Sequence, residues 1–373
     1  MEQKYISLYR KYRPKTFGEV VGQEQVTSTL SNQVKTGKIN HAYLFTGSRG
    51  TGKTSCAKIF ARAVNCPHAE NGSPCNKCDV CRELLSNNNM DIVEIDAASN
   101  NSVEDIRLMR DNVKFAPTTS KYKVYIIDEV HMLSPSAFNA LLKTLEEPPE
   151  HIIFILATTE VHKIPATIMS RVTRLDFRLV SQDDMRKHLK DVFSREGIAC
   201  DDEGIAEIAK LSDGGVRDAL SIAECVIGYK GDNITYDDVC ACLGTTAKQD
   251  MYNLSRAMLD KDLSAFFACS NELYKRGKNF ALLSKEIVSF FHDAIVCKTC
   301  DNANTILCLP EVDFANLSKF VEPYKYEDMY LIMDAYLTSE NDFRYASSAK
   351  MLFESVAVLC MCDDEVKKKR MSQ

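Results

Sequence analysis

The run Gly47-Ser48-Arg49-Gly50-Thr51-Gly52-Lys53-Thr54 limits what this chain can fold into more than any other feature. It satisfies the spacing G-x-x-x-x-G-K-[ST] at every position, follows an apolar run at 42–46 and opens a helical pattern reaching about residue 64. A strand, a glycine-rich loop and a helix in that order are the context a phosphate-binding loop requires. The glycines let backbone N–H groups curl around phosphate oxygens, and the helix N-terminus adds its positive end. Lys53 is placed to reach the β- and γ-phosphates of ATP, and the Thr54 hydroxyl to coordinate Mg²⁺.

Such a loop belongs to an α/β P-loop fold, a parallel sheet flanked by helices, and the first 180 residues carry the matching pattern. Short apolar runs at 42–46, 92–95, 124–127, 152–157 and 172–177 alternate with helical periodicity. Several are nearly continuous in apolar residues, as in strands covered on both faces. A helix predicted over 135–147 is halted by Pro148-Pro149. Past Ser181 the pattern becomes a cluster of short amphipathic helices at 183–196, 202–211, 215–229 and 236–243. From about 246 onward the chain again reads as helix, with a break at 301–310. Three domains are therefore expected: residues 1–180, a small helical domain at 181–244 and a larger helical domain at 245–373.

The predicted strand Val124-Tyr125-Ile126-Ile127 ends in Asp128-Glu129. Asp128 is placed to hold the magnesium ion through water. Glu129 is the group to orient and deprotonate an attacking water, because in-line attack needs a carboxylate that is not spent on the metal. The Asp-Glu-Val-His spelling at 128–131 also occurs in helicases. Those enzymes need a second RecA-like domain with its own arginine motif, and this chain turns helical instead.

Cys66, Cys75, Cys78 and Cys81 follow the spacing C-x₈-C-x₂-C-x₂-C in a polar loop with Pro67, Gly72 and Pro74. Four thiolates so arranged suit a closed, tetrahedral, structural Zn²⁺ site. His68 could substitute as a ligand but is unnecessary beside four cysteines. Cys297 and Cys300 form a second C-x₂-C with Cys308 nearby and no evident fourth ligand, and read as core thiols.

The net charge of −6 argues against a protein that holds nucleic acid by bulk electrostatics, so any DNA contact is local or shared among subunits. The basic end Lys367-Lys368-Lys369-Arg370 reads as a solvated terminus. No apolar run approaches the roughly 20 residues that span a bilayer, and the polar Met1-Glu2-Gln3-Lys4 start does not resemble a secretory signal. A cytoplasmic protein without a membrane partner is expected, its 15 cysteines being thiols or metal ligands.

The motifs together resemble one family. Residues 12–23 (YRPKTFGEVVGQ), the loop at 47–54, Asp128-Glu129-Val130-His131-Met132-Leu133, residues 141–149 (LLKTLEEPP) and Ala157-Thr158-Thr159-Glu160 are closely similar, in this order, to the bacterial DNA polymerase III gamma/tau family of AAA+ clamp-loader ATPases. The resemblance covers about residues 5–245, and the remainder only in its helical character. It implies an AAA+ ATPase domain with an inserted zinc module at 66–81, a helical lid and an all-α collar for oligomerisation. The activity implied is ATP hydrolysis that drives the opening and loading of a sliding clamp onto primer–template DNA, with no polymerase active site in the chain.

The resemblance also assigns residues. It lays Arg13, Pro14, Val20 and Val21 against the adenine base, although two valines by themselves read as core. Thr159 matches the first sensor, near the γ-phosphate; Thr158 and Thr159 could also simply satisfy local backbone groups. Ser170-Arg171-Val172 matches a Ser-Arg-Cys motif with Val in place of Cys. Its Arg171 would reach a neighbouring subunit's γ-phosphate, whereas by itself it reads as a surface salt-bridge residue. Residues 214–220 (GGVRDAL) match the second sensor, so that Arg217 contacts the nucleotide of its own subunit; the plain alternative is a pair with Asp213 or Asp218. The segment 94–107 faces the DNA channel in the family, and its Ser102 with Asp105 reads equally well as an ordinary helix cap. The implied assembly is a pentameric hetero-oligomer with other clamp-loader subunits. Two rivals, another AAA+ motor such as a branch-migration helicase and a non-hydrolysing scaffold subunit, differ in unwinding activity and in loss of the catalytic groups.

Overall fold

The computed structural model describes residues 5–86, 89–244, 246, 248–307, 309 and 311–362. The basic end at 367–370 and Cys308 lie outside these. The chain divides into two compact units, Met1–Tyr236 and Asp237–Gln373.

The first unit is built on five parallel strands: β1 (Ala42–Thr46), β2 (Ile92–Asp96), β3 (Lys123–Asp128), β4 (Ile152–Thr158) and β5 (Thr173–Asp176), in the order β2-β3-β4-β1-β5. Every residue of β1 and β4 is buried, because each lies inside the sheet with helices on both faces. Alternate side chains serve the two layers. Tyr43, Phe45, Val124, Ile126, Ile153 and Ile155 pack against Val26 and Leu30 of the helix Glu24–Thr36 and Ile59 and Phe60 of the helix Lys53–Asn65. Leu44, Tyr125, Ile127, Phe154 and Leu156 pack against Ile106 and Met109 of the helix Val103–Val113 and Phe138 and Leu141 of the helix Pro135–Glu146. β5 departs from the expected apolar run at 172–177: it is an edge strand whose residues alternate between half-buried and exposed.

Local signals place the helices. Ser134 caps Pro135–Glu146, with proline at the first turn where its missing N–H costs nothing. The small helices Gln182–Glu196, Asp202–Leu211, Val216–Lys230 and Tyr236–Leu243 follow, with Ser181 and Asp201 as side-chain caps of the first two.

Asp91, just before β2, shows how the sheet end is tied. Its carboxylate accepts backbone N–H bonds from Thr118 (2.8 Å), Thr119 (3.0 Å) and Ser120 (3.0 Å). Burial raises the Asp91 carboxyl, but these donors outweigh it and hold its pKa below the ordinary 3.8. The contribution is fully present above that ordinary value and is lost as pH falls through the folded one. Asp91→Ala orphans three N–H groups and is expected to lower stability by about 3 kcal/mol in denaturant unfolding at neutral pH; an unchanged midpoint would refute this.

Every regular element among the described residues of the second unit is a helix. Phe280–Thr299 is its longest helix and buries Phe280, Leu283, Ile287, Phe291 and Ala294 along one stripe. Around the shared core pack residues of Lys248–Leu259, Leu263–Lys275, Glu311–Val321, Tyr326–Thr338 and Ala349–Met361. The expected break at 301–310 contains a short helix, Ala303–Leu307. Cys297 packs partly against this core, but Cys300 is exposed, which corrects its reading as a core thiol. No helix among the described residues is long and apolar enough to cross a membrane.

Candidate functional site

The carboxyl edge of the sheet is where the predicted residues converge, as open α/β sheets place their ligands. The register aligns Thr46 of β1 with Thr158 of β4, so the loop after β1 lies beside the ends of β4 and β3. Gly47 (φ +141) approaches the chain so closely that a Cβ there would lie 2.3 Å from the Phe177 carbonyl oxygen. Only glycine fits that turn.

Lys53, at 6% exposure, opens the helix Lys53–Asn65 and donates to the carbonyls of Gly47 (2.6 Å) and Ser48 (2.7 Å) of its own loop. Burial lowers its pKa, against the opposing pull of Glu129 and Asp128. Thr54 Oγ1 donates to Asp128 Oδ2 at 2.8 Å, so the two predicted magnesium-holding groups already touch. Glu129 sits in the left-handed region (φ 47, ψ 44), which is uncommon for a residue with a Cβ and occurs at functional turns. Its carboxylate accepts from Thr159 Oγ1 at 3.1 Å. Thr158 Oγ1 instead accepts from the Glu160 N–H at 3.0 Å and lies 3.1 Å from His131 Nδ1.

A cleft of about 610 Å³ opens over these groups, lined by Arg49 to Ser55, Asp128 and Glu129 together with Arg13, Pro14, Val20 and Val21. Arg13 Nε donates to Ser55 Oγ at 3.1 Å. Arg217 lines the cleft as well; its backbone N–H reaches the Gly50 carbonyl at 3.4 Å and its guanidinium lies 4.9 Å from the centre of the Tyr9 ring. Gln23 is a further buried link, donating to the Arg178 carbonyl at 2.7 Å and the Thr51 carbonyl at 3.4 Å.

Arg171 is not brought to this cleft. It lines a second one with Glu146 and His41, where Nη2 pairs with Glu146 at 2.7 Å and Nη1 donates to the Thr167 carbonyl at 2.7 Å. Ser102 and Asp105 make a complete capping box, so the cap reading of the 94–107 segment is realised within the chain.

Sequence reasoning missed two sets of neighbours. His131 is buried beside Glu129: Nδ1 lies 3.4 Å from Glu129 Oε2 and 3.1 Å from Thr158 Oγ1, and Nε2 lies 3.2 Å from Glu160 Oε1. The Asp-Glu-Val-His spelling carried that signal. Tyr9 and Arg10 of the N-terminal segment also line the cleft beside Tyr12, the first residue of the 12–23 motif, and nothing in the spacing of Tyr9 and Arg10 marks them.

Cys66, Cys75, Cys78 and Cys81 have sulfurs all within 4.8 Å of one another, the one such metal-ligating group among the described residues. Individual separations are 3.5 Å (66–75), 4.0 Å (66–78) and 4.0 Å (75–81). A tetrahedron with Zn–S bonds of about 2.3 Å has sulfurs about 3.8 Å apart, so the donor set fits zinc. The backbone N–H groups of Lys77 and Cys78 draw the Cys75 thiol down to about 6, whereas burial raises Cys66 and Cys81. A cation between the four sulfurs would favour their thiolate forms, and the set suits Zn²⁺.

Comparison with known proteins agrees with this architecture. Residues 22–181 match the family DNA polymerase III, delta subunit; residues 184–231 match the DNA polymerase III clamp loader subunit, ATPase lid domain; residues 234–371 match DNA polymerase III subunits gamma and tau domain III. The DNA polymerase III subunit tau of Bacillus subtilis is 44% identical over 360 residues, 96% of this chain and 63% of that protein. The chain thus spans less than two-thirds of the length of that relative. The DNA polymerase III subunit gamma of Buchnera aphidicola subsp. Schizaphis graminum is 39% identical over 295 residues, 79% of this chain and 81% of that protein. Among solved structures, the Thermotoga maritima RuvB Holliday junction branch migration motor aligns over 66% of this chain and 79% of its own at 22% identity, with a TM-score of 0.48. With one relative matched over most of both lengths and three consecutive family matches in order, the chain belongs to the DNA polymerase III gamma/tau subunit family.

Proposed function

We propose that this protein is an ATPase subunit of a bacterial clamp loader, in which ATP binding and hydrolysis drive the opening of a sliding clamp and its loading onto primer–template DNA. The observation that carries this reading is the pairing of Thr54 with Asp128 and of Thr159 with Glu129 beneath a phosphate loop, in a chain of the gamma/tau family. Lys53 and the loop N–H groups bind the phosphates. Thr54 and Asp128 would hold Mg²⁺, which would offset charge on the phosphate oxygens. Glu129, oriented by Thr159, takes a proton from the water whose oxygen attacks the γ-phosphorus. The bond to the leaving ADP oxygen breaks and inorganic phosphate is released.

Arg13, Pro14, Val20 and Val21 wall the adenine, and Arg217 reads the phosphates from the lid. Arg171 completes the site of a neighbouring subunit in a pentameric hetero-oligomer, joined through the helical domain at 245–373. The segment 94–107 meets DNA phosphates weakly in each subunit, and several subunits together track the duplex. Zn²⁺ on the four cysteines is structural. The protein works in the cytoplasm.

Steady-state ATPase activity of the chain, assembled with its partner subunits, tests the reading. Strong stimulation that requires both sliding clamp and primed DNA is expected. Stimulation by DNA alone, indifferent to the clamp, would assign the chain to another kind of AAA+ motor. Lys53→Ala is expected to weaken nucleotide binding by about 100-fold or more, since a charged hydrogen-bond donor to the phosphates is removed. Equal affinity in this variant and wild type would sink the phosphate assignment.

A further inference from the structure

The four-cysteine module and the nucleotide cleft share one short segment, residues 13–21. Arg13, Pro14, Val20 and Val21 line the cleft, while Lys15 and Phe17 between them are held by the module and by Arg62 of the helix Lys53–Asn65. The Lys15 carbonyl accepts from Arg62 Nη2 at 3.0 Å and from Asn76 Nδ2 at 3.1 Å, and the Phe17 N–H donates to Ser73 Oγ at 3.2 Å. The module is itself anchored to the helix Glu24–Thr36. A Cβ on Gly72 (φ +81) would lie 2.3 Å from the Ser31 carbonyl oxygen, and Ser31 Oγ donates to the Asn71 carbonyl at 2.5 Å.

Arg62 is the residue that joins the parts. It lies near the end of the helix that Lys53 opens, so one rigid element carries the phosphate-binding lysine at its start and this arginine a few turns later. Arg62 is 5% exposed, and its Nε is buried without a hydrogen-bond partner. Burial lowers its pKa, and the charge on Arg13 adds to that effect. A buried guanidinium needs an anion as well as a carbonyl. Glu19, within the same 13–21 segment, is a carboxylate that favours the charge on Arg62.

We propose that Arg62 and Asn76 are positioning residues through which the cysteine module braces the base-side wall of the nucleotide cleft, by way of the Lys15 carbonyl they share. The inference rests on the nucleotide reading above. The brace holds residues 13–21 at a set distance from the helix that binds the phosphates, so the base and the phosphates meet walls already in place. Without it, that segment must be ordered on binding, and affinity falls by the cost of ordering.

The test is equilibrium binding of ATP and of inorganic triphosphate to the full chain, measured calorimetrically together with zinc content and melting temperature. Arg62→Met removes the charge and the fork while keeping length. Asn76→Gly removes the side chain and its amide at a backbone position, φ +56, that glycine adopts readily. Each is expected to weaken ATP binding about tenfold while leaving inorganic triphosphate binding unchanged, and stripping zinc from the wild type with a chelator is expected to do the same. Unchanged ATP affinity in both variants with zinc retained would overturn the brace and leave the nucleotide reading intact. A parallel loss of both ligands in both variants would likewise overturn it, since that is the mark of general destabilisation. A wild-type chain that binds neither ligand would overturn the nucleotide reading and the brace with it.

Discussion

Glu129→Gln is expected to retain ATP and lose hydrolysis, with the single-turnover rate falling about 1,000-fold and nucleotide affinity changing by no more than about twofold. The amide keeps the size of the carboxylate and still accepts from Thr159 Oγ1, which stands 3.1 Å away. It cannot take a proton from water. Asp128, which meets Thr54 at 2.8 Å, is untouched, so the groups assigned to magnesium and phosphates remain. The left-handed backbone at Glu129 and the buried His131 ring 3.4 Å from its carboxylate hold the side chain in place in either form. Radiolabelled ATP bound to the variant and followed over hours gives both numbers. A variant that hydrolyses at the wild-type rate would remove Glu129 from the reaction. One that fails to bind ATP would make it a binding group.

Arg171→Ala is expected to act only in the assembly. In the isolated chain Arg171 is engaged with Glu146 and the Thr167 carbonyl, away from the cleft that holds Lys53. Its partly exposed pair with Glu146 contributes at most about 1 kcal/mol to stability. Loss of the guanidinium should therefore leave the melting temperature and nucleotide affinity of the lone chain nearly unchanged. In the complex, an arginine that stabilises the transferring phosphoryl group from a neighbour is worth about 1,000-fold or more in rate. Clamp- and DNA-stimulated hydrolysis should fall by that order when every copy carries the substitution. Full stimulated activity in such a complex would return Arg171 to the role of a surface ion-pair residue.

Much of this protein is legible in one dimension because its strongest signals are local. The helices Asp202–Leu211 and Tyr236–Leu243 agree with expectation to the residue, since apolar periodicity and, for the first, the Asp201 cap lie within a few positions of each boundary. The helix after the phosphate loop and the Ser102–Asp105 capping box follow for the same reason. Strands β1, β3 and β4 announce themselves as apolar runs because both their faces are covered. β5 does not hold to its apolar reading, because an edge strand meets solvent on alternate residues.

Spacing alone picked out the Gly47–Thr54 loop, the Asp128-Glu129 strand end and the cysteine quartet as candidate sites, since ligand chemistry demands fixed neighbours. Tertiary structure decided what those groups touch. The order β2-β3-β4-β1-β5 places Thr159, from the end of β4, against Glu129, from the end of β3, some 30 residues earlier in the chain. It decided that Arg171 faces away from its own cleft, that Tyr9 lies under Arg217 and that Arg62 reaches the Lys15 carbonyl. Side chains far apart in sequence meet only once the sheet is ordered and its two faces are covered, and no local pattern encodes where that packing brings them.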